Sequence, residues 1–203
     1  MSNIIVQKFG GTSVGSVERI DAVADIIKNA SLSEKIVVVV SAMSGETNKL
    51  VSLAKHFGDN PDKREFDALV STGETISSAL LTMALHSKGV KARSFSATQI
   101  SMKTTSTYSK AKILDVDSNK IMSVIENDTI PIITGFQGVT ETGDITTLGR
   151  GGSDTTAVAI AAQIKAKRCD IYTDVDGIYT TDPKIVSNAK KLDSITMEEM
   201  LEL

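Results

Sequence analysis

The chain has 203 residues, enough for one large domain or two small ones, and we expect a single domain. With 22 Lys and Arg against 25 Asp and Glu, the net charge of −3 argues against a general binder of nucleic acid or anionic membranes. Aromatic residues make up only 4% of the chain, so base-stacking surfaces are not expected. A single Cys excludes an internal disulfide framework and a multi-cysteine zinc site.

The hydrophobic pattern predicts a cytoplasmic protein. No charged and then apolar leader stands at the N-terminus, and the apolar run at residues 36–40 is far too short to cross a bilayer. We therefore expect neither a membrane partner nor a nucleic-acid partner.

Short β-branched runs alternate with helical patterns, which predicts an α/β fold with a mostly parallel sheet. Residues 4–9 predict a first strand, and the wholly apolar residues 36–40 predict a strand buried on both faces. The other predicted extended segments are residues 91–96, 130–134 and 169–173, a hairpin over 139–148, and a short strand at 178–179.

Apolar residues at helical spacing predict helices between these strands. The first helix should bury one face, made of Val17, Ile20, Ala24 and Ile27. Three further helices are predicted over residues 49–57, over 119–126 and after 149–154, the last burying Ala157, Ile160, Ala161 and Ile164.

A longer helical pattern runs from Phe66 to about Gly89, and we assign its stripe through Met83 to the core. Gly73 lies inside this pattern, where glycine costs about 1 kcal/mol relative to alanine. We therefore expect close packing, or the approach of a ligand, at Gly73.

The end of the chain carries a helix-start signal. Residues 196–199 (TMEE) match a capping box, yet the sequence stops at Leu203 after barely two turns. We interpret the chain as a fragment of a longer protein.

Three glycine-rich turns follow predicted strands or hairpins. The carboxyl ends of parallel strands gather along one edge of a sheet, where ligands bind, and glycine lets backbone N–H groups approach an anion. Lys8 precedes Gly10 and Gly11, and Arg150 lies inside the third turn. These turns predict a site for a polyphosphate and a second anionic ligand.

The familiar nucleotide motifs do not match. Gly10 and Gly15 have the spacing of a Walker A loop, but Ser16 stands where that loop requires Lys. No GxGxxG sequence follows a predicted strand, and the protein-kinase signatures are absent from the sequence. Phosphate binding is therefore inferred from the chemistry of the turns alone.

Five segments, in the same order, resemble those of aspartokinases within the amino-acid kinase family. They are residues 8–14 (KFGGTSV), 71–74 (STGE), 134–138 (TGFQG), 148–157 (LGRGGSDTTA) and 172–184 (YTDVDGIYTTDPK). The resemblance implies a three-layer α/β/α sandwich with a mostly parallel sheet of about eight strands. It also implies ATP-dependent phosphorylation of the side-chain carboxylate of L-aspartate to 4-phospho-L-aspartate, the first step toward lysine, threonine and methionine.

The resemblance further implies site roles. Lys8 and Asp154 would be catalytic, with Asp154 orienting Lys8. The nucleotide would contact Lys8, Gly10, Gly11, Ser13, Thr173, Asp174, Tyr179, Asp182 and Lys184. Aspartate would contact Ser41, Thr47, Glu74, Phe136, Arg150, Gly151, Gly152 and Ser153. Magnesium is expected to arrive bound to ATP, with no metal site of the protein's own.

Elementary chemistry agrees with these roles. A side-chain carboxylate with a pKa of about 4 is already ionised at neutral pH, so the nucleophile needs no general base. The reaction needs charge neutralisation and in-line positioning of two anions. Arg150 offers a fork that suits a carboxylate, and Glu74 is expected to bind the substrate ammonium rather than act as a base.

By the same resemblance, residues 1–203 are an amino-acid kinase catalytic domain cut before its C-terminal end, without regulatory domains. We expect the full-length protein to be a homodimer. The alternatives are a kinase of the same family acting on glutamate, acetylglutamate, carbamate or UMP, or a non-catalytic nucleotide-binding fragment. The segments at 71–74 and 149–154 favour aspartate over these.

Overall fold

The computed structural model of the chain describes residues 3–175, 177, 179–181 and 185–196. These form two compact units, Met1–Thr173 and Asp174–Leu203. The larger unit contains the sheets and helices that carry the cavity analysed below.

Nine strands occur in the described part of the chain. In order, β1 to β9 are Ile4–Phe9, Lys35–Val40, Ala92–Phe95, Lys103–Thr104, Ile113–Asp115, Ile130–Thr134, Gln137–Val139, Ile145–Thr147 and Arg168–Tyr172. Five form a parallel sheet in the order β3-β6-β2-β1-β9. The strands predicted within residues 4–173 are confirmed, and so is the mostly parallel α/β fold.

The register of the parallel sheet brings the carboxyl ends of its strands to one edge. Phe9 pairs with Val40 on one side and with Tyr172 on the other, and Val40 pairs with Thr134. The segments that follow these four residues therefore emerge side by side, as expected for a ligand-binding edge.

The remaining four strands form a second sheet in the order β5-β4-β7-β8. Strands β7 and β8 are the antiparallel arms of the predicted hairpin, which turns at Gly143 with a φ of +91°. Strands β4 and β5 have two and three residues, too few for a periodic pattern to be read from the sequence.

Six helices complete the larger unit. Helices α1 to α6 span Val17–Ala30, Glu46–Lys55, Lys63–Val70, Thr72–Ser87, Ser118–Glu126 and Gly152–Gln163. Side chains of β1 alternate between two apolar clusters, so Ile5 and Phe9 pack with α1 and α4, whereas Ile4 and Val6 pack with α5 and α6. Helices thus cover both faces of the parallel sheet, which confirms the three-layer sandwich. The predicted sheet of about eight strands is corrected, because in the described residues the parallel sheet has five strands and the other four form a separate second sheet.

The predicted long helix is two helices. The first ends at Val70 and the second begins at Thr72, although Ser71 between them keeps helical dihedral angles (φ −65°, ψ −17°). The assignment of Met83 to the core is wrong, since 58% of Met83 is exposed, and Val17 of α1 is exposed as well. Helix α4 instead buries a face of small and aliphatic residues that includes Ser77, Leu81 and Leu85.

Residues 63–87 are long and apolar enough to span a membrane by length and composition alone. Half of their most apolar stretch is buried inside the protein, as in helices that pack in a core. The sequence did not predict such a segment.

The close packing predicted at Gly73 is confirmed. A Cβ atom on Gly73 would lie 2.8 Å from the Cβ of Ala42, which belongs to the loop after β2. Glycine therefore lets the first turn of α4 lie directly against this loop.

The smaller unit, Asp174–Leu203, is described in part. Tyr179 forms an antiparallel bridge with Lys191, and the Thr180 N–H donates to the carbonyl of Lys190 over 2.9 Å. The other half of the predicted short strand, Ile178, and the predicted helix after residue 196 lie outside the described residues.

The contact at Gly73 predicts the effect of adding one methyl group. Gly73→Ala should gain about 1 kcal/mol of helix propensity but lose about 1–3 kcal/mol to overpacking, for a net loss of stability. Urea unfolding measures the change. Ala42→Gly removes the opposing Cβ, so the double variant should lose less than the sum of the two single losses. Additive losses would contradict this account.

Candidate active site

A cavity of about 380 Å³ lies at the carboxyl ends of the parallel strands. It is open to solvent and is formed by the segments that follow β1, β2 and β6, by the first turn of α4 and by the start of α6. Its lining residues are Lys8, Gly11, residues 41–45, Thr47, Glu74, Phe136, Gly149 and residues 151–154.

A second cavity of similar volume lies at the amino ends of β2, β3 and β6, where Lys35, Lys91 and Ile130 contribute to the lining. We assign the candidate site to the cavity at the carboxyl ends because two buried charged side chains, Lys8 and Glu74, reach it. Buried charges are costly and therefore mark functional sites more often than exposed ones.

Lys8 is the cation at the centre of the cavity. Its side chain is 8% exposed, and its ammonium lies 2.7 Å from a carboxylate oxygen of Asp154 in the first turn of α6. Because a buried ammonium needs an opposite charge, this pair fixes the direction in which the lysine points. The contact supports the predicted role of Asp154 in orienting Lys8.

The positive ends of two helices meet the same cavity. Helices α2 and α6 are preceded by the N-cap residues Gly45 and Gly151, with φ of +83° and +71°, and neither helix has a side-chain cap. By contrast, α1, α3 and α5 are capped by Ser16, Asp62 and Asp117. A helix N-terminus without a carboxylate or hydroxyl cap presents N–H groups and a positive dipole to an anionic ligand.

Glu74 provides the opposite charge at the side of the cavity. It is 3% exposed, and one carboxylate oxygen accepts the Ala42 N–H over 3.1 Å. Its other oxygen is buried without a hydrogen-bond partner. Burial raises the pKa of the Glu74 carboxyl to about 7, so a cationic ligand would relieve an unfavourable state.

The turn after β6 is locked against the start of α6. Phe136 has a φ of +66°, in the left-handed region, and its N–H donates to the Thr156 hydroxyl over 3.2 Å. A Cβ on Gly135 would lie 2.6 Å from the Ser153 hydroxyl oxygen, and one on Gly152 would lie 2.8 Å from the Phe136 ring. Only glycine fits at these two positions.

The turn after β1 divides the predicted phosphate-binding glycines. Gly11 lines the cavity, and a Cβ there would lie 2.9 Å from the Ala42 carbonyl oxygen. Gly10 does not line it, because its N–H extends the sheet by donating to the Tyr172 carbonyl over 2.9 Å. Ser13 is also absent from the lining.

Most residues predicted to contact aspartate line one cavity, namely Ser41, Thr47, Glu74, Phe136, Gly151, Gly152 and Ser153. Arg150 is the exception. Its side chain is exposed and is not part of the lining, although its neighbours Gly149 and Gly151 are. Lys8 and the turn that carries Arg150 therefore lie on the same side of the molecule.

The predicted nucleotide contacts near residues 173–184 stay predictions. Thr173 follows β9 at the end of the larger unit, and Asp174 and Tyr179 belong to the smaller unit. Asp182 and Lys184 lie outside the described residues.

Part of the lining and one buried carboxylate were not predicted from the sequence. Residues 42–45, after β2, line the cavity between the predicted Ser41 and Thr47. The run of small residues that follows a buried strand (SAMSG) was a usable signal for this loop. No local signal marked Asp67, because its partners lie 42 and 80 residues away.

Comparison with known proteins identifies the family. The sequence profile described as the amino acid kinase family matches residues 3–203. The chain belongs to this family.

Aspartate kinases are among the similar proteins. One from Pseudomonas putida is 56% identical over 201 residues, covering 98% of this chain and 49% of the relative. The crystal structure of aspartate kinase from Synechocystis superposes with a TM-score of 0.83 at 47% identity, over 98% of this chain and 33% of that one. Aspartokinase III from E. coli, in complex with aspartate and ADP, gives a TM-score of 0.84 at 31% identity, over 94% and 53%. The chain spans about half the length of the curated relatives it matches.

The raised pKa of Glu74 predicts a pH dependence of stability. Between its ordinary value of 4.5 and about 7, the folded state keeps the proton that the unfolded state releases. Stability should therefore fall as pH rises through this window, by roughly 2–3 kcal/mol, and then level off.

Urea unfolding of the wild type and of Glu74→Gln from pH 4 to pH 8 measures this contribution. Glu74→Gln keeps an oxygen for the Ala42 N–H but does not titrate, so the stability difference between the two proteins should change across the window. A constant difference would show that Glu74 titrates normally.

Proposed function

We propose that this chain is the catalytic region of an aspartate kinase. It would transfer the terminal phosphoryl group of ATP to the side-chain carboxylate of L-aspartate, giving 4-phospho-L-aspartate. The observation that carries the proposal is one cavity that combines a buried lysine, two helix N-termini without side-chain caps and a buried glutamate. The similarity to aspartate kinases supports aspartate as the phosphoryl acceptor.

The chemistry depends on bringing two anions together. The aspartate side chain is already ionised at neutral pH, so the cavity needs no general base. Phosphoryl transfer needs electrostatic stabilisation and in-line alignment of the attacking and leaving oxygens. Lys8 supplies a fixed positive charge, and Asp154 holds its ammonium in one position. Charge fixed before the reaction stabilises the transition state without reorganisation.

The amino-acid end of the substrate would be recognised by charge at two points. The unpartnered oxygen of Glu74 suits the ammonium group, and its burial makes that contact strong. Arg150 lies beside the cavity on a glycine-rich turn. From there its guanidinium would bind the α-carboxylate of the substrate with two parallel hydrogen bonds. Glutamate has a longer side chain, so its carboxylate would be misplaced relative to Lys8.

Nucleotide binding is proposed at the turn of Gly11 and at the N-terminus of α6, together with the predicted contacts of Thr173, Asp174, Tyr179, Asp182 and Lys184. Gly10 would contribute through the conformation of its backbone and not by donating its N–H, because that N–H is already hydrogen-bonded to the Tyr172 carbonyl. In the part of the chain that the structure describes, no three His, Cys, Asp or Glu side chains cluster to hold a metal ion. The magnesium of the reaction is expected to arrive with the nucleotide, bound by its phosphates as part of the substrate.

We further propose that residues 1–203 form one catalytic domain, and that the full-length protein is a cytoplasmic homodimer with regulatory domains beyond this region. The family resemblance supports these statements. The fractions of the relatives that the chain covers, 49% and 53%, agree with a catalytic region within a longer protein.

Hydroxylamine trapping tests the proposed reaction, because it converts an acyl phosphate into a hydroxamate, which gives a coloured complex with ferric iron. The full-length protein with ATP and L-aspartate should give the signal, and L-glutamate should not. Lys8→Met should lower turnover by roughly 100-fold or more, the effect of removing a main electrostatic contact to the transition state. The control Lys35→Met removes an exposed lysine at the opposite end of the sheet and should retain turnover.

Two outcomes would overturn the proposal. A signal with glutamate, and none with aspartate, would reassign the substrate. Binding of a non-hydrolysable ATP analogue without turnover of any amino acid would indicate a non-catalytic nucleotide-binding protein.

Arg150 is expected to act on aspartate rather than on the nucleotide. Arg150→Ala should raise the Kd for L-aspartate by roughly tenfold, the cost of a lost charge-assisted hydrogen bond, and should leave the Kd for an ATP analogue within about threefold. Arg150→Lys keeps the positive charge but loses the two-pronged hydrogen-bonding geometry of the guanidinium, so its Kd for L-aspartate should lie between those of the wild type and Arg150→Ala. Isothermal titration calorimetry measures the Kd values of all three proteins. An equal loss for both ligands would contradict the assignment.

A further inference from the structure

The carboxylate of Asp67 is buried completely in the larger unit, outside the cavity. It belongs to α3, and its relative exposure is 0%. One oxygen accepts the backbone N–H groups of Ser109 and Thr147, over 2.8 and 2.7 Å. The other accepts the hydroxyls of the same two residues, over 2.9 and 3.0 Å. Four donors thus compensate a charge that would otherwise be very costly to bury.

Both partners of Asp67 adjoin the turn that carries Arg150. Thr147 is the last residue of β8, and Leu148 follows it with an N–H that donates to the Phe136 carbonyl over 3.0 Å. Ser109 lies in the loop between β4 and β5, and a Cβ on Gly149 would lie 3.3 Å from its carbonyl oxygen. The carboxylate therefore fixes the strand that enters the turn and also the loop against which the turn packs.

Asp67 also links the two sides of the cavity. Helix α3 ends at Val70, and α4, whose first turn carries Glu74, starts two residues later. Near this junction the Gln137 side chain of β7 donates to the Ser71 carbonyl. The β7–β8 hairpin is thus bonded to the α3–α4 segment at two buried points, and the turn at residues 148–152 extends directly from the hairpin.

We infer that Asp67 is a positioning residue, which holds the turn at residues 148–152 so that Arg150 lies beside the cavity and the start of α6 lines it. Four bonds converge on one carboxylate, and three segments distant in sequence depend on it. The expected effect of Asp67 on the affinity for L-aspartate rests on the proposed function, whereas its effect on the position of the turn does not.

Hydrogen exchange measured by mass spectrometry on the 203-residue chain tests the effect on the turn. Asp67→Ala should speed amide exchange in residues 146–153 and 107–112 by roughly tenfold or more, because four buried donors lose their acceptor. Asp67→Asn should largely retain slow exchange. Its amide oxygen can accept the two N–H groups, and its NH₂ group can donate to the two hydroxyls.

Two further variants keep the test decisive if Asp67→Ala does not fold. Thr147→Val removes one donor hydroxyl at nearly constant volume and should speed exchange in the same segments to a smaller extent. Thr82→Val is its matched control, because Thr82 is a buried threonine of α4 whose hydroxyl donates to the Ser78 carbonyl, away from the turn. If Thr147→Val and Asp67→Ala speed exchange in these segments no more than Thr82→Val does, the inference is wrong.

Calorimetry on the same variants separates the two proposals. If Asp67→Ala raises the Kd for L-aspartate and leaves the Kd for an ATP analogue unchanged, the result supports the positioning role of Asp67 in substrate binding. If the wild type binds no L-aspartate in any form of the protein, the proposed function fails, while the exchange measurement still decides the role of Asp67.

Discussion

The ion pair between Lys8 and Asp154 is the contact on which the geometry of the cavity depends. Lys8 comes from the first strand of the parallel sheet, and Asp154 comes from a helix that begins more than 140 residues later. A buried ammonium is tolerated only beside an opposite charge, so α6 must start close to the end of β1. The start of α6 is in turn fixed by the glycine-rich turn and by the hairpin bonded to α3. The end of the cavity that contains Lys8 and the start of α6 is therefore positioned by contacts that lie outside the cavity.

The cavity contains groups that favour an anion and a group that favours a cation. The lysine and two helix N-termini favour negative charge, whereas the unpartnered oxygen of Glu74 favours a cation. An amino acid carries both signs, and a phosphate carries only one, so this arrangement agrees with the proposed binding of an amino acid beside a nucleotide. The raised pKa of Glu74 indicates that the ligand-free fold bears an electrostatic cost that a bound ammonium group would offset.

Sequence patterns predicted the parallel strands well because each buried strand is a short apolar run with its own local signal. The same reasoning failed at Met83. The face of α4 that packs inward is formed by Gly73, small polar residues and two leucines, so the largest side chains did not mark the core. The lining residues were predicted largely from resemblance to known segments, and their convergence on one cavity agrees with that prediction. Gly10, Ser13 and Arg150 do not belong to the lining, and the Gly10 amide is hydrogen-bonded within the sheet.

The sequence alone determined the α/β class, the order of the main elements, the family and the residue types available for phosphate chemistry, because these depend on local periodicity and on short motifs. Only the tertiary structure decided which residues meet. The pairing of Lys8 with Asp154, the contact of Gly73 with Ala42 and the four bonds to Asp67 join segments between 31 and 146 positions apart. Such contacts leave no periodic trace, since a hydrogen bond or an ion pair depends on where the folded backbone brings two groups and not on the spacing between them in the chain.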